Sequence, residues 1–96
     1  MLLKAGVDIS RLERNTRRSL SKVAYIFSDE IELFIITSTY EGNHSAGSLH
    51  YADQAYDVRL PIQSRMRILA RIKAVLTDDF DVVMEREHYH IEYDPK

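Results

Sequence analysis

The spacing of apolar positions divides the chain into helical and extended stretches. Ile9, Leu12, Leu20, Val23 and Phe27 recur at helical intervals, and Ser10 followed by Glu13 forms a capping-box pattern, so a first helix is expected over residues 10–27. Its opposite face carries Arg11, Arg14, Arg18 and Lys22. The β-branched and aromatic run IELFIITSTY predicts a buried strand that leads into the turn-forming loop EGNHSAGS. QAYDVRL alternates as a strand carrying Asp57 does, and Pro61 is placed to open a second helix running to Leu76, with Ile62, Met66, Leu69, Ile72 and Leu76 inward. FDVVME and HYHIEY then read as a hairpin turning near Arg86 and Glu87. The period of two puts His88 and His90 on one face of that hairpin. Two helices with an antiparallel-leaning sheet predict an α+β fold.

Composition narrows the picture. With 96 residues, 45% of them hydrophobic, and no repeat or Pro/Gly-rich linker, the chain is expected to form one domain over residues 1–96. Its 13 basic and 15 acidic side chains nearly balance, which argues against a nucleic-acid partner and against an acidic tail. The basic stripe on the first helix reads as a solvated face. The opening MLLKAGVDISRLERN has too short an apolar run for a signal sequence or a membrane span, so synthesis and folding in the cytoplasm are expected.

The chemistry concentrates in the histidines. All four fall in two short clusters, His44 and His50 around the loop, and His88 and His90 in EREHYHIEYD. The first cluster offers His50 and, seven residues on, Asp57. The second offers His-x-His with a glutamate on its amino side. Together they supply three ligands and a base, and three protein ligands leave a coordination position for water. The chain has no cysteine, so histidine and carboxylate are its strong zinc donors.

The stretch from Ser48 through His50, Asp53 and Ala55 to Asp57 resembles the Ser-x-His-x-x-Gly-x-Ala-x-Asp motif of zinc D-alanyl-D-alanine peptidases. Their relatives include phage L-alanyl-D-glutamate endopeptidases and the hedgehog amino-terminal signalling domain. HSAGSLHY with a later His-x-His is most similar to the hedgehog branch, and the resemblance spans residues 37–93. It implies a hedgehog/DD-peptidase-like fold, a small antiparallel sheet with two helices packed around it. It further implies Zn2+ held by His50, Asp57 and His90, with His88 and His44 lining the pocket as oxyanion or substrate contacts. By the same resemblance Glu87, three residues before His90, is the general base, and Glu85 is its competitor in a shifted hairpin. Tyr40, Tyr51 and Tyr89 are candidates to stack on substrate or to be half-buried strand residues.

Two positions depart from the family pattern. Asp53 replaces the motif glycine, and Glu41 stands where many dipeptidases place a substrate-gripping arginine, which points to an endopeptidase rather than a carboxypeptidase. The implied partner is a peptide of bacterial peptidoglycan, cut by a phage-type lysis or entry enzyme acting at the cell wall after release or as part of a virion. The alternative is a non-catalytic, zinc-bearing hedgehog-like binding or structural domain, and a third reading has no bound metal.

Overall fold

Helix α1 (Arg14–Asp29) starts at Arg14 rather than at Ser10, because Ser10 is already engaged. Asp8 Oδ1 accepts from the Ser10 N–H at 2.9 Å and from its hydroxyl at 2.7 Å, which makes a turn of the capping-box position. Glu13 caps the helix itself, its Oε2 accepting from the N–H groups of Asn15 and Thr16 at 2.9 and 3.1 Å. Partial burial alone pushes the Glu13 carboxyl up, yet these donors hold it below its ordinary value. The computed structural model describes residues 1–39 and 54–95.

Leu20, Val23 and Phe27 are buried as the spacing predicts, and Leu12 joins them ahead of the helix. Thr16, Ser19 and Ile26 are buried beside them. Ser19 Oγ donates to the Thr16 carbonyl at 2.6 Å and lies 2.7 Å from Tyr56 Oη. With its one hydrogen committed to Thr16, Ser19 accepts from the tyrosine, so the buried phenol and hydroxyl satisfy each other.

The predicted strand over IELFIITSTY is shortened because its first residues end α1. Ile31 N–H donates to the Ser28 carbonyl at 3.1 Å and Glu32 N–H to the Phe27 carbonyl at 2.9 Å, the paired bonds of a Schellman ending. Ile31 occupies the left-handed position of that motif, φ 57°, where glycine is usual. The strand proper is Ile35–Thr39, which pairs in parallel with a short strand Leu2–Leu3 at the amino end. We label these β2 and β1. β3 (Ala55–Arg59), β4 (Phe80–Met84) and β5 (His88–Tyr93) complete a five-stranded sheet in the order β1-β2-β3-β5-β4. The parallel pair makes the sheet mixed rather than antiparallel, because two residues are too few to show a period of two.

Helix α2 (Arg65–Leu76) begins four residues beyond Pro61, after Ser64 turns the backbone into the left-handed region at φ 60°. Ile62 therefore lies outside the helix and is 85% exposed. The buried stripe is Ile68, Leu69, Ile72 and Leu76, and Met66, roughly 100° around the axis from its centre, is exposed as well. Both expected inward positions are thus corrected. One 3-10 turn (Thr77–Asp79) leads from α2 into β4.

Tyr56 Oη meets Ser19 on α1, and Tyr89 Oη donates to the Arg65 carbonyl on α2 at 2.6 Å. Both helices therefore cover the same sheet face, that of Tyr56, Val58, Tyr89 and Ile91, rather than packing around the sheet. Tyr89 is fully buried there and not placed to stack on substrate. Ion pairs tie the helices at their ends, Arg67 to Glu30 at 2.6 Å and Arg71 to Asp29 at 2.7 Å and to Glu30 at 2.9 Å. Among the described residues no helix is long and apolar enough to cross a membrane.

Replacing Ile31 with glycine removes a left-handed β-branched residue whose side chain is 91% exposed and packs on little. Urea denaturation of I31G is expected to show a gain of about 1 kcal/mol, the typical left-handed penalty for a residue with a Cβ.

Candidate metal centre

Alternation along two paired strands assembles the site. In β3, Tyr56 and Val58 point to the helices, so Asp57 between them projects from the opposite face. In β5, Tyr89 and Ile91 do the same and leave His88, His90 and Glu92 on that opposite face. The antiparallel register sets Asp57 opposite His90, Arg59 opposite His88 and Ala55 opposite Glu92. Directly opposed side chains start only about 4.5–5.5 Å apart at Cβ, so short carboxylate and imidazole groups meet without strain. At the hairpin turn the Glu85 N–H donates to the His88 carbonyl at 2.8 Å, which brings the Glu85 side chain back toward His88.

The result is a line of alternating carboxylates and imidazoles. His88 Nε2 lies 3.2 Å from both Glu85 Oε1 and Asp57 Oδ2. The other Asp57 oxygen, Oδ1, lies 2.9 Å from His90 Nδ1, and His90 Nε2 lies 3.0 Å from Glu92 Oε1. Exposure is graded along it. The Glu85 side chain is 48% exposed and that of His88 31%, while those of Asp57, His90 and Glu92 are 6%, 19% and 10%. The Glu85 end of the line meets solvent and the Asp57–Glu92 end is largely buried.

The donor set suits a divalent cation. One ligand atom each from Asp57, Glu85 and His88 lies within 4.8 Å of the others. Zinc–oxygen and zinc–nitrogen bonds of about 2.0–2.1 Å put tetrahedral ligand atoms roughly 3.3 Å apart. Within that group the 3.2 Å spacings from His88 Nε2 to Asp57 Oδ2 and to Glu85 Oε1 lie close to that. Asp57 also faces His90, and offers one oxygen to each histidine.

Without an ion, the line holds protons. The Asp57 hydrogen bond is the largest influence on His90, Glu92 adds to it, and together they outweigh burial and raise the imidazole from 6.5 to about 9. His90 is then an imidazolium whose two N–H groups donate to two carboxylates.

The structure brings together four of the residues singled out from sequence, Asp57, His88, His90 and Glu85. Glu87 sits at the tip of the turn, exposed, and its side chain makes no hydrogen bond or ion pair with the cluster. His44 and His50 lie outside the described residues, as do Tyr40, Tyr51 and Asp53. Sequence reasoning did not single out Glu92, although the signal was present: two residues beyond His90, the period of two puts it on the same face. No protein-family model, curated protein or solved structure matches the chain.

In chelator-treated protein the His90 proton makes stability fall with rising pH. The folded-state value lies above the ordinary one, so the contribution is complete below about pH 6.5 and is lost as the pH climbs through about 9. Melting temperatures followed from pH 6 to 10 are expected to drop across that window, and His90→Gln is expected to remove the drop.

Proposed function

We propose that this chain is a zinc-dependent peptidase that hydrolyses peptide bonds of bacterial peptidoglycan, an endopeptidase of the phage lysis or entry type. The observation that carries the reading is the Asp57 carboxylate set between His88 and His90 at ligand spacing, on the sheet face opposite the helices. The sequence adds His50, seven residues before Asp57, as the remaining ligand. The choice of peptidoglycan rests on the resemblance of the Ser48 to Asp57 stretch and of HYHIEY to the zinc peptidases.

Asp57, His90 and His50 would hold the ion. Zinc bound there supplies a water with a pKa near 7 and a positive charge facing the carbonyl under attack. Glu85 is the carboxylate at the open end of the line. It is the group placed to take a proton from a water beside His88 and return it to the leaving amine. His88, between Glu85 and Asp57 and partly exposed, is placed to donate a hydrogen bond to a developing oxyanion. Asp57 is buried, which keeps its two oxygens fixed while substrate enters from the Glu85 side.

A second reading, a metal-holding domain without turnover, is favoured by one feature: both ring nitrogens of His90 already meet carboxylates, as in a site built to stay closed. Zinc-loaded wild type and the variants Glu85→Gln and Glu87→Gln, incubated with purified peptidoglycan, separate the two. Released amino groups are followed by mass spectrometry. Glu85→Gln is expected to retain zinc and lose at least about 100-fold in rate, the usual scale of a general base, while Glu87→Gln stays within a few-fold of wild type. Zinc binding without release by wild type from any wall tested would favour the second reading.

A further inference from the structure

We infer that the groove between α1 and α2 is a docking surface for an acidic amphipathic helix of a partner protein. The surface is independent of the metal site. Tyr25 and Ile26 of α1 and Ala74 and Val75 of α2 line a hollow of about 520 Å³. Tyr25 is 68% exposed and Val75 40%, so two large apolar side chains of one hollow stand in water. Single exposed apolar residues are ordinary on a protein surface, whereas a concave apolar cluster marks a binding groove. Past Lys22 and Val75 the groove continues into a second hollow of about 230 Å³ that reaches Arg18.

Charge decides the occupant. Arg14, Arg18 and Lys22 recur every four residues along α1, a row with steps of about 6 Å, and the last two line the groove. None of the three makes an ion pair or a side-chain hydrogen bond with another described residue. Arg71, the remaining cation of the groove, is taken up by Asp29 and Glu30. Asp79 is the only carboxylate among the described lining residues, so the groove keeps a surplus of positive charge although the whole chain carries −2. An apolar trough edged by cations at that interval is the complement of a helix whose apolar stripe is bordered by glutamates four residues apart. The helices of a second copy do not supply it, because α1 has one acidic residue, Asp29, and α2 has none. A nucleic-acid backbone would match the cations and leave Tyr25 and Val75 in water.

The probe is a fluorescein-labelled synthetic helical peptide with a leucine stripe bordered by glutamates four residues apart, titrated with the full chain and followed by fluorescence anisotropy. Binding is expected to saturate, to weaken with added salt and to vanish when the glutamates of the peptide are replaced by lysine. The double variant Arg18→Glu, Lys22→Glu is expected to weaken it by at least about 10-fold, and Tyr25→Ser by about 10-fold, the scale of losing opposed charges or an aromatic anchor. All three side chains are exposed, so these variants keep the fold. In wild type, nitrogen-15 NMR is expected to place the peptide-induced shifts at Tyr25, Ala74, Val75 and their neighbours, away from Asp57 and His88. Absence of saturation, unchanged affinity in either variant, or shifts centred elsewhere overturns the proposal. Tighter binding of a DNA duplex or of phosphatidylglycerol vesicles than of the peptide also overturns it, because charge alone would then account for the row.

Discussion

The register of β3 against β5 is the constraint on which the rest of the molecule depends. Two strands each bury alternate residues under the same pair of helices, Tyr56 and Val58 from one, Tyr89 and Ile91 from the other. Once those four are inside, the intervening residues have no choice of face, and Asp57 must stand opposite His90. A slip of one residue would send the tyrosines to the open face and the carboxylate and imidazoles into the core. Two side-chain hydrogen bonds oppose such a slip, because the Tyr56 and Tyr89 hydroxyls reach fixed partners on α1 and α2. Core packing therefore positions the polar face, and the site inherits its geometry from residues that take no part in its chemistry.

That dependence explains how much was legible in the sequence. A period of two is visible in AYDVR and HYHIEY, so the placement of His88 and His90 on one surface follows from pattern alone, whereas Asp57 joins them through the pairing of β3 with β5. The boundaries were harder, because hydrogen bonds between near neighbours decide them. Ser10 looked like a cap until Asp8 claimed it, and Ile31 looked like a strand residue although it closes α1 in a conformation glycine normally takes. Ser64 interrupts the path from Pro61 in the same way. The short parallel strand Leu2–Leu3 has no period to read. That Glu85 rather than Glu87 lies beside His88 follows from the hairpin's closing bond from Glu85 to His88, a one-residue matter beyond the reach of composition or spacing.

The graded exposure of the carboxylate–imidazole line gives the site a direction. At the enclosed end Glu92 and Asp57 hold His90 from both sides, so that ring has little freedom. At the open end His88 is partly exposed and Glu85 exposed to solvent. The proposed hydrolase would use the buried half to hold charge and the accessible half to move protons. Glu85, the exposed carboxylate of the line, lies on the hairpin turn rather than in the sheet. Asp57 joins the two halves, with one oxygen facing each histidine, which makes it the residue whose loss is felt along the whole line.

Anomalous diffraction at the zinc edge from crystals soaked in zinc is the most direct test of that central role. The account predicts one ordered peak about 2.0–2.2 Å from an Asp57 carboxylate oxygen and from His90 Nδ1. A peak remote from Asp57, or none at all in crystals grown near neutral pH, would contradict it.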